Sequence, residues 1–340
     1  MINNPAQVDT AFFYKSDGVP WTGLGVPIDE TVEATEAHIA AQTDWLVEKW
    51  PIYAHSPDGS RQLPMENNYA TTRVNKDGTA APLGHVTGGY SIVQQADACA
   101  FAAALSKEGG LRMHTGGSLR GGRIIWFMGR YPKQFEIVPD DIIDCNLFIC
   151  NSHDGTMYLS VGATTVRIVC MNTLMGGVAD AKRRGRFMSV RHTGDPLRKL
   201  YEAQRILGLS EVAFEKQELL LRELVDIPMT EQRVEEALDS LFPDPDEGTS
   251  PARANSLRSQ VLEIYNTSPT LDMPGVRGTG YGFLNAVTQY ADHSRGKSLS
   301  QEKRLFSAWF ERGADIKEEA VSAVVKVTGA RISNYSSSAG

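Results

Sequence analysis

The sequence predicts an α+β protein, with an antiparallel or mixed sheet in its first half and helices in its second. Three observations carry this expectation. Short alternating or apolar runs, punctuated by Gly, Pro, Asn and Asp, fill the chain up to about residue 170. From Asp195 onward apolar residues recur at helical spacing instead, as in Leu197, Leu200, Tyr201 and Ala203, and again in Leu219, Leu220 and Leu224. Between them lies a strand, a tight turn and a second strand: the apolar run Ile142 to Cys150, then Asn151-Ser152-His153-Asp154-Gly155, then Thr156 to Val161. Asp-Gly supplies the positive φ that such a turn needs. In the second strand Met157, Leu159 and Val161 alternate with Thr156, Tyr158 and Ser160, which sets the two faces apart.

In chain order, residues 1–30 read as irregular, with a Trp in the Pro/Gly-punctuated segment Pro20 to Gly25. Thr31 to Gln42 reads as a short helix with Thr31 as N-cap. Strands follow at Trp45 to Trp50, stopped by Pro51, at Tyr69 to Val74 and at Gly84 to Val93. Gln95 to Lys107 is an alanine-rich helix closed by Gly109-Gly110. The stretch His114 to Arg123 reads as a glycine-rich loop leading into a strand over 123–130. That strand pairs with those over 142–150 and 156–161, and a helix over Asn172 to Arg184 completes a β-β-β-α core. Thr164 to Cys170 fits either a continued strand or a helical face. The second half offers helices over Pro196 to Leu207, Ser210 to Val225, Glu231 to Leu241 after Thr230, Ala252 to Asn266, Phe283 to His293 and Ser300 to Gly313. Gly275 to Gly282 reads as a loop, and the acidic Phe242 to Gly248 as a linker or exposed loop. The expected division is an α+β core with its basic segment over 1–194, a mainly helical region over 195–333, and a disordered tail over 334–340.

Composition narrows the function. No apolar window approaches a membrane span, and the N-terminus lacks a basic start and apolar core, so a cytoplasmic protein is expected, with no membrane partner. Cys99, Cys145, Cys150 and Cys170 show no Cys-x-x-Cys spacing and read as buried thiols. No metal and no cofactor are expected. The net charge of −7 argues against a protein that coats nucleic acid over its whole surface. Its distribution is uneven, for Arg112 to Lys199 holds 13 Lys/Arg against 7 Asp/Glu.

Two basic stretches are the candidate nucleic-acid-binding residues. Arg120 and Arg123 flank two glycines, in a loop that either cradles phosphate through its backbone N–H groups or is a plain hairpin turn. Lys182, Arg183, Arg184, Arg186, Arg191, Arg198 and Lys199 place seven cations in 18 residues, offset only by Asp195. One or two would complement a helix C-terminus; seven point to a phosphate backbone held in a groove. Single-stranded DNA is the favoured ligand, and a closed homo-oligomer, a ring above all, the favoured assembly, because repetition multiplies a modest patch. Phe187 is the one aromatic inside the cluster; Trp126 and Tyr158 read as sheet or core packing, with stacking as the alternative. Two other classes stand beside this one. A structural or host-interaction oligomer needs no further motif. A metal-dependent phosphodiesterase would draw on His153, Asp154, Asp140, Asp141 and His192, and a thiol enzyme on Cys170.

Six stretches carry a resemblance: Trp21-Thr-Gly-Leu-Gly, Leu119-Arg-Gly-Gly-Arg, Ser152-His-Asp-Gly, Val166-Arg-Ile-Val-Cys-Met-Asn-Thr-Leu, Arg191-His-Thr and the run from Gly278 to His293. Together they resemble a domain-of-unknown-function family of phages and plasmids, usually called phage/plasmid-like protein. Membership implies a mobile-element setting and no established activity. Gln289 stands where the family pattern has glutamate, so any catalytic role of that carboxylate would be lost here. The order of three strands, Asp-Gly hairpin and basic segment is also similar to the core of Rad52-like single-strand annealing proteins. That analogy implies recombination, a ring and a basic groove for a single strand.

Overall fold

β-Branched and aromatic residues in short alternating runs build the first half of the chain, in which side chains of opposite character face core and solvent. The computed structural model of the protein describes residues 9–18, 24–105, 111–167, 172–173, 187–196, 198–199, 209–245 and 250–333. Its architecture is α+β, with helices mostly in the second half. Two sheets are present among the described residues. The smaller joins β4 (Leu46–His55), β5 (Gln62–Val74) and β6 (Ala80–Thr87) in that order. The larger runs in the order β11 (Asn172–Thr173), β10 (Leu159–Arg167), β9 (Ile142–Ser152), β8 (Ile124–Glu136), β7 (Arg112–Leu119), β1 (Ala11–Tyr14) and β2 (Val26–Ile28). Off that path β12 (Phe187–Val190) pairs with β10 and β3 (Val32–Glu33) with β7. β1 lies parallel to β2 and antiparallel to β7, so the sheet is mixed.

The chain divides into two units that interleave in sequence. The first comprises Met1–Pro132, Asn146–Gly162 and Phe187–Gly208, and the second Lys133–Cys145, Ala163–Arg186 and Leu209–Gly340. β8, β9 and β10 each pass from one to the other along their length. In the first unit, α2 (Gln95–Leu105) and both sheets contribute to one core, with Phe12, Trp45, Leu83, Phe101, Phe127 and Ile149 all buried. The second unit holds α3 (Leu209–Val225), α4 (Glu231–Leu241), α5 (Ala252–Thr267), α6 (Gly280–Gln289), α7 (Gln301–Phe310) and α8 (Arg312–Thr328). Phe214, Val234, Val261, Phe283, Trp309 and Val324 are among its buried side chains.

The three central strands are present, but β8 runs on to Glu136 and β10 begins at Leu159 rather than Thr156, and Thr164–Arg167 resolves as strand, continuing β10. Several elements differ. Asn172–Thr173 is strand, paired antiparallel with Val166 and Arg167, where a helix was expected to begin; the rest of that helix and most of Pro196 to Leu207 lie outside the described residues. Pro51 does not stop β4, which is the outer strand of its sheet, where a missing N–H is tolerated. β6 starts and ends earlier than the strand expected from Gly84 to Val93. The expected helix at Thr31 is reduced to β3, a 3-10 turn over Ala34–Glu36 and the single turn α1 (Ala37–Ala40), because Val32 pairs with Met113 of β7. Residues 11–14 and 26–28 are not irregular but strands of the larger sheet. His114 to Leu119 is strand rather than loop: a Cβ at Gly117 would lie 2.4 Å from the Thr10 carbonyl oxygen, so glycine there lets the neighbouring backbone approach. Gly280 and Gly282 open α6, capped by the Thr279 hydroxyl, instead of closing a loop. α8 falls in the region expected to be mainly helical, although no separate helix was expected there. The tail over 334–340 lies outside the described residues.

Candidate nucleic-acid interface

Four chain segments meet at one end of the larger sheet within the first unit. One is the turn between β7 and β8, where Arg120, Gly121 and Gly122 take φ of 57°, 69° and 88° in succession. The N–H groups of Gly121 and Gly122 in this turn converge on a common point, as in an anion nest. That nest is filled from within. The Asp9 carboxylate accepts from Gly121 N–H at 2.8 Å and Gly122 N–H at 3.2 Å, and from the Ser118 hydroxyl at 3.3 Å. The backbone phosphate cradle expected here is therefore taken by a carboxylate of the chain itself. What the turn offers outward is the exposed side chains of Arg120 and Arg123.

The second segment is the β9–β10 turn. His153 N–H donates to the Arg123 carbonyl at 2.7 Å, which docks this turn against the first. Asp154 caps the turn by accepting from Thr156 N–H at 3.0 Å and from the Thr156 hydroxyl at 2.6 Å. The third segment follows β12. Leu159 pairs with Val190 at the end of the β10–β12 ladder, and one step further Tyr158 stands across from Arg191. The Arg191 guanidinium carbon lies 5.8 Å from the Tyr158 ring centroid. Past Arg191 the chain folds back: the Lys199 ammonium donates to the Thr193 carbonyl at 2.7 Å, and Arg198 N–H donates to Asp195 at 2.9 Å. Arg191, Arg198 and Lys199 are all exposed. The fourth segment is Tyr90, whose hydroxyl donates to the Ser152 carbonyl at 2.7 Å while its ring stacks on His192 at 4.7 Å. Ser91 N–H donates to the His192 carbonyl, so β6's exit and β12's exit are tied together.

Beneath these segments the interior is unusually polar. His153 has no exposed surface, and neither ring nitrogen has a hydrogen-bond partner among the described residues. Burial, aided by the nearby His192, pulls its pKa down to about 3, so it is neutral near pH 7. Burial also lowers His192, against a hydrogen bond between its Nδ1 and the Ser91 carbonyl. Arg73 packs its guanidinium 4.6 Å from the Trp45 ring centroid and donates to Asn75 at 2.7 Å. Burial lowers its pKa as well, opposed by Asp9 and Asp77.

Of the nine candidate residues, Arg120, Arg123, Arg191, Arg198 and Lys199 come to this end of the sheet. Lys182, Arg183, Arg184 and Arg186 lie outside the described residues. Sequence reasoning passed over Tyr90, Asp9 and Arg73, which carry no local motif. It placed Trp126 and Tyr158 together as packing residues. Trp126 is buried, but Tyr158 is 41% exposed, on the polar side of the alternation that the sequence displayed.

The second unit holds a different kind of polar cluster. Arg167 and Asp141 are both fully buried and bonded at 2.7 Å, and the Tyr281 hydroxyl donates to the other Asp141 oxygen at 2.8 Å. Burial raises the Tyr281 phenol far above its ordinary range, Arg167 opposing. A second buried pair joins Lys317 to Asp292 at 2.5 Å, with Asp292 in a π-helical turn over Tyr290–Ser294. The Gln289 amide oxygen accepts from the hydroxyls of Ser268 at 2.9 Å and Thr270 at 3.3 Å, a local role that needs an acceptor but no charge. Burial pushes the thiols of Cys99, Cys145 and Cys150 up to about 12; Cys170 lies outside the described residues. Among the described residues no group of three or more His, Cys, Asp or Glu side chains is placed to hold a metal ion.

The family match spans this geometry. A domain of unknown function, DUF932, matches residues 82–313, more than half of the chain. The chain belongs to the DUF932 family. No curated protein and no solved structure matches it. The matched region of this DUF932 chain takes in the basic end of the first unit as well as both buried ion pairs of the second up to Gly313, with Lys317 just beyond. Among the described residues no helix is long and apolar enough to cross a membrane.

Proposed function

We propose that this DUF932 chain is a non-catalytic nucleic-acid-binding protein of a phage or plasmid, acting in single-strand annealing or recombination in the bacterial cytoplasm. One observation carries the reading: exposed Arg120, Arg123, Arg191, Arg198 and Lys199 gather at one end of a sheet, with Asp154 and Asp195 in the same turns and Asp9 bonded to the backbone of the first. Lys182, Arg183, Arg184 and Arg186, the other cations of the basic stretch, precede β12 in sequence. Long-range attraction from such a cluster needs no base recognition, and it suits a backbone held in a groove. The similarity in strand order to Rad52-like annealing proteins supports the same reading by analogy. The phosphodiesterase alternative is weakened by its own residues, since His153 is wholly buried and Asp141 is committed to Arg167 and Tyr281.

The test is the salt dependence of single-strand binding. Changing Arg120, Arg123 and Arg198 together to alanine removes three phosphate contacts, and at about 0.7 per contact the slope of log K against log salt should flatten by about 2. An unchanged slope in that variant contradicts the reading.

A second reading, self-assembly into a closed homo-oligomer, is favoured by the β4–β5 ribbon. Beyond the end of β6 the paired residues Tyr53–His55 and Gln62–Pro64 stand as a two-stranded arm, with Leu63 and Met65 exposed. Such an arm is marginal alone and gains from a second copy of the chain, whose repeated basic ends would then act on one strand. A 37.2 kDa particle at every concentration in mass photometry contradicts it.

A further inference from the structure

We infer that Tyr158 is a stacking platform for an unpaired base, so that the basic end of the first unit takes single-stranded nucleic acid in preference to duplex. The inference rests on the nucleic-acid reading above and adds to it the part of the ligand that is recognised.

Its basis is the position of an aromatic ring among cations. Tyr158 lies just before β10 and opposite Arg191 just after β12, so the antiparallel register sets the two side by side at the mouth of the ladder. Below them on the same face come Ser160 and Ser189, whose hydroxyls bond to each other at 2.8 Å, and Ser160 is buried. The apolar side chains of this strand, Leu159 and Val161, point the other way into the core. Tyr158 is thus not a core residue that leaks to the surface. It is an aromatic on the polar face, 41% exposed, at the edge where the chain presents its arginines.

The Arg191 guanidinium, 5.8 Å from the ring centroid, shares the ring's environment, and its fixed charge can reach a phosphate next to a base on the ring. Lys199, held by the Thr193 carbonyl, supplies a further cation two residues from Arg191's strand end along the folded-back turn. An exposed aromatic with a guanidinium over one face suits a nucleotide: a base can stack on the ring's other face, and the flanking phosphates have cationic partners nearby. Duplex hides its base faces in the stack, so only a single strand can use the ring. Because every base has a π-face, this contact selects strandedness rather than sequence.

The experiment compares three ligands of equal length by fluorescence anisotropy on the full chain: oligothymidylate, an abasic strand with the same phosphates, and a duplex. Wild type should bind oligothymidylate more tightly than the abasic strand. Tyr158→Ala should lose roughly 5- to 100-fold in affinity for oligothymidylate, the range that base–aromatic stacking contributes, while its affinity for the abasic strand and its salt slope stay put. Tyr158→Phe, which keeps the ring, should retain the preference. Thermal unfolding of both variants should match wild type, since the side chain is exposed. Equal affinity of wild type for the two strands, or an unaltered preference in Tyr158→Ala, overturns the stacking inference and leaves the phosphate reading standing. No binding of any of the three ligands overturns both.

Discussion

His153 sits at the β9–β10 turn with no exposed surface, and its imidazole stays neutral because the charged form would lose its hydration without gaining a partner. The consequence is acid lability. An unfolded chain protonates this ring below its ordinary pKa of 6.5, while the folded chain resists until about 3. Between those values the unfolded state binds the extra proton, so stability falls as pH falls, by about 1.4 kcal/mol per pH unit for one such group. His192, also lowered by burial, adds to the slope in the same direction. His153→Leu removes one titrating group. Its unfolding midpoint, followed by circular dichroism from pH 7 to pH 4, should decline less steeply than that of wild type; equal slopes would show that the buried ring is not what acid attacks. At the same scale, the Asp141–Arg167–Tyr281 cluster explains why a chain of this kind keeps charges in its interior. Each member satisfies another, and burying any one alone would be costly.

Among the elements, those whose signals are local were legible. Thr230 caps α4 by accepting from Arg233 N–H, and α4 spans Glu231–Leu241 as its spacing predicts. The Asp-Gly turn and the flanking strands follow from residues within a few positions of one another. What sequence concealed depends on distant partners. Ala11–Tyr14 becomes a strand only because β7 lies beside it, and Gly116 and Gly117 belong to β7 only because Phe12, Phe127 and the Thr10–Ala11 backbone crowd them. The candidate site divides in the same way. Its arginines stand out as charge, whereas Asp9 filling the nest of Gly121 and Gly122, and Tyr90 stacking on His192, join positions far apart in the chain. The β4–β5 ribbon carries the prediction at this scale. Leu63 is 65% and Met65 45% exposed, so Leu63→Lys with Met65→Lys should leave monomer stability within about 0.5 kcal/mol. If the ribbon joins copies of the chain, mass photometry should find wild type heavier than 37.2 kDa and the double variant at 37.2 kDa. A heavy particle that survives both substitutions places the contact elsewhere.

As a whole, the molecule carries a net charge of −7 and yet brings five exposed cations to one end of one sheet. A basic patch on a net-acidic body would, under the proposed function, orient the approach of a polyanion and limit non-specific coating. That arrangement gives the account a quantitative signature. Five exposed cations acting on phosphates, at about 0.7 each for a single strand, give a slope of about −3.5 in log K against log salt. The most direct measurement is therefore a salt titration of an oligothymidylate binding to the full-length wild-type chain, read by fluorescence anisotropy. The account predicts clear binding at low salt and a linear slope near −3.5 or steeper. No binding at low salt, or a slope near zero, would contradict it.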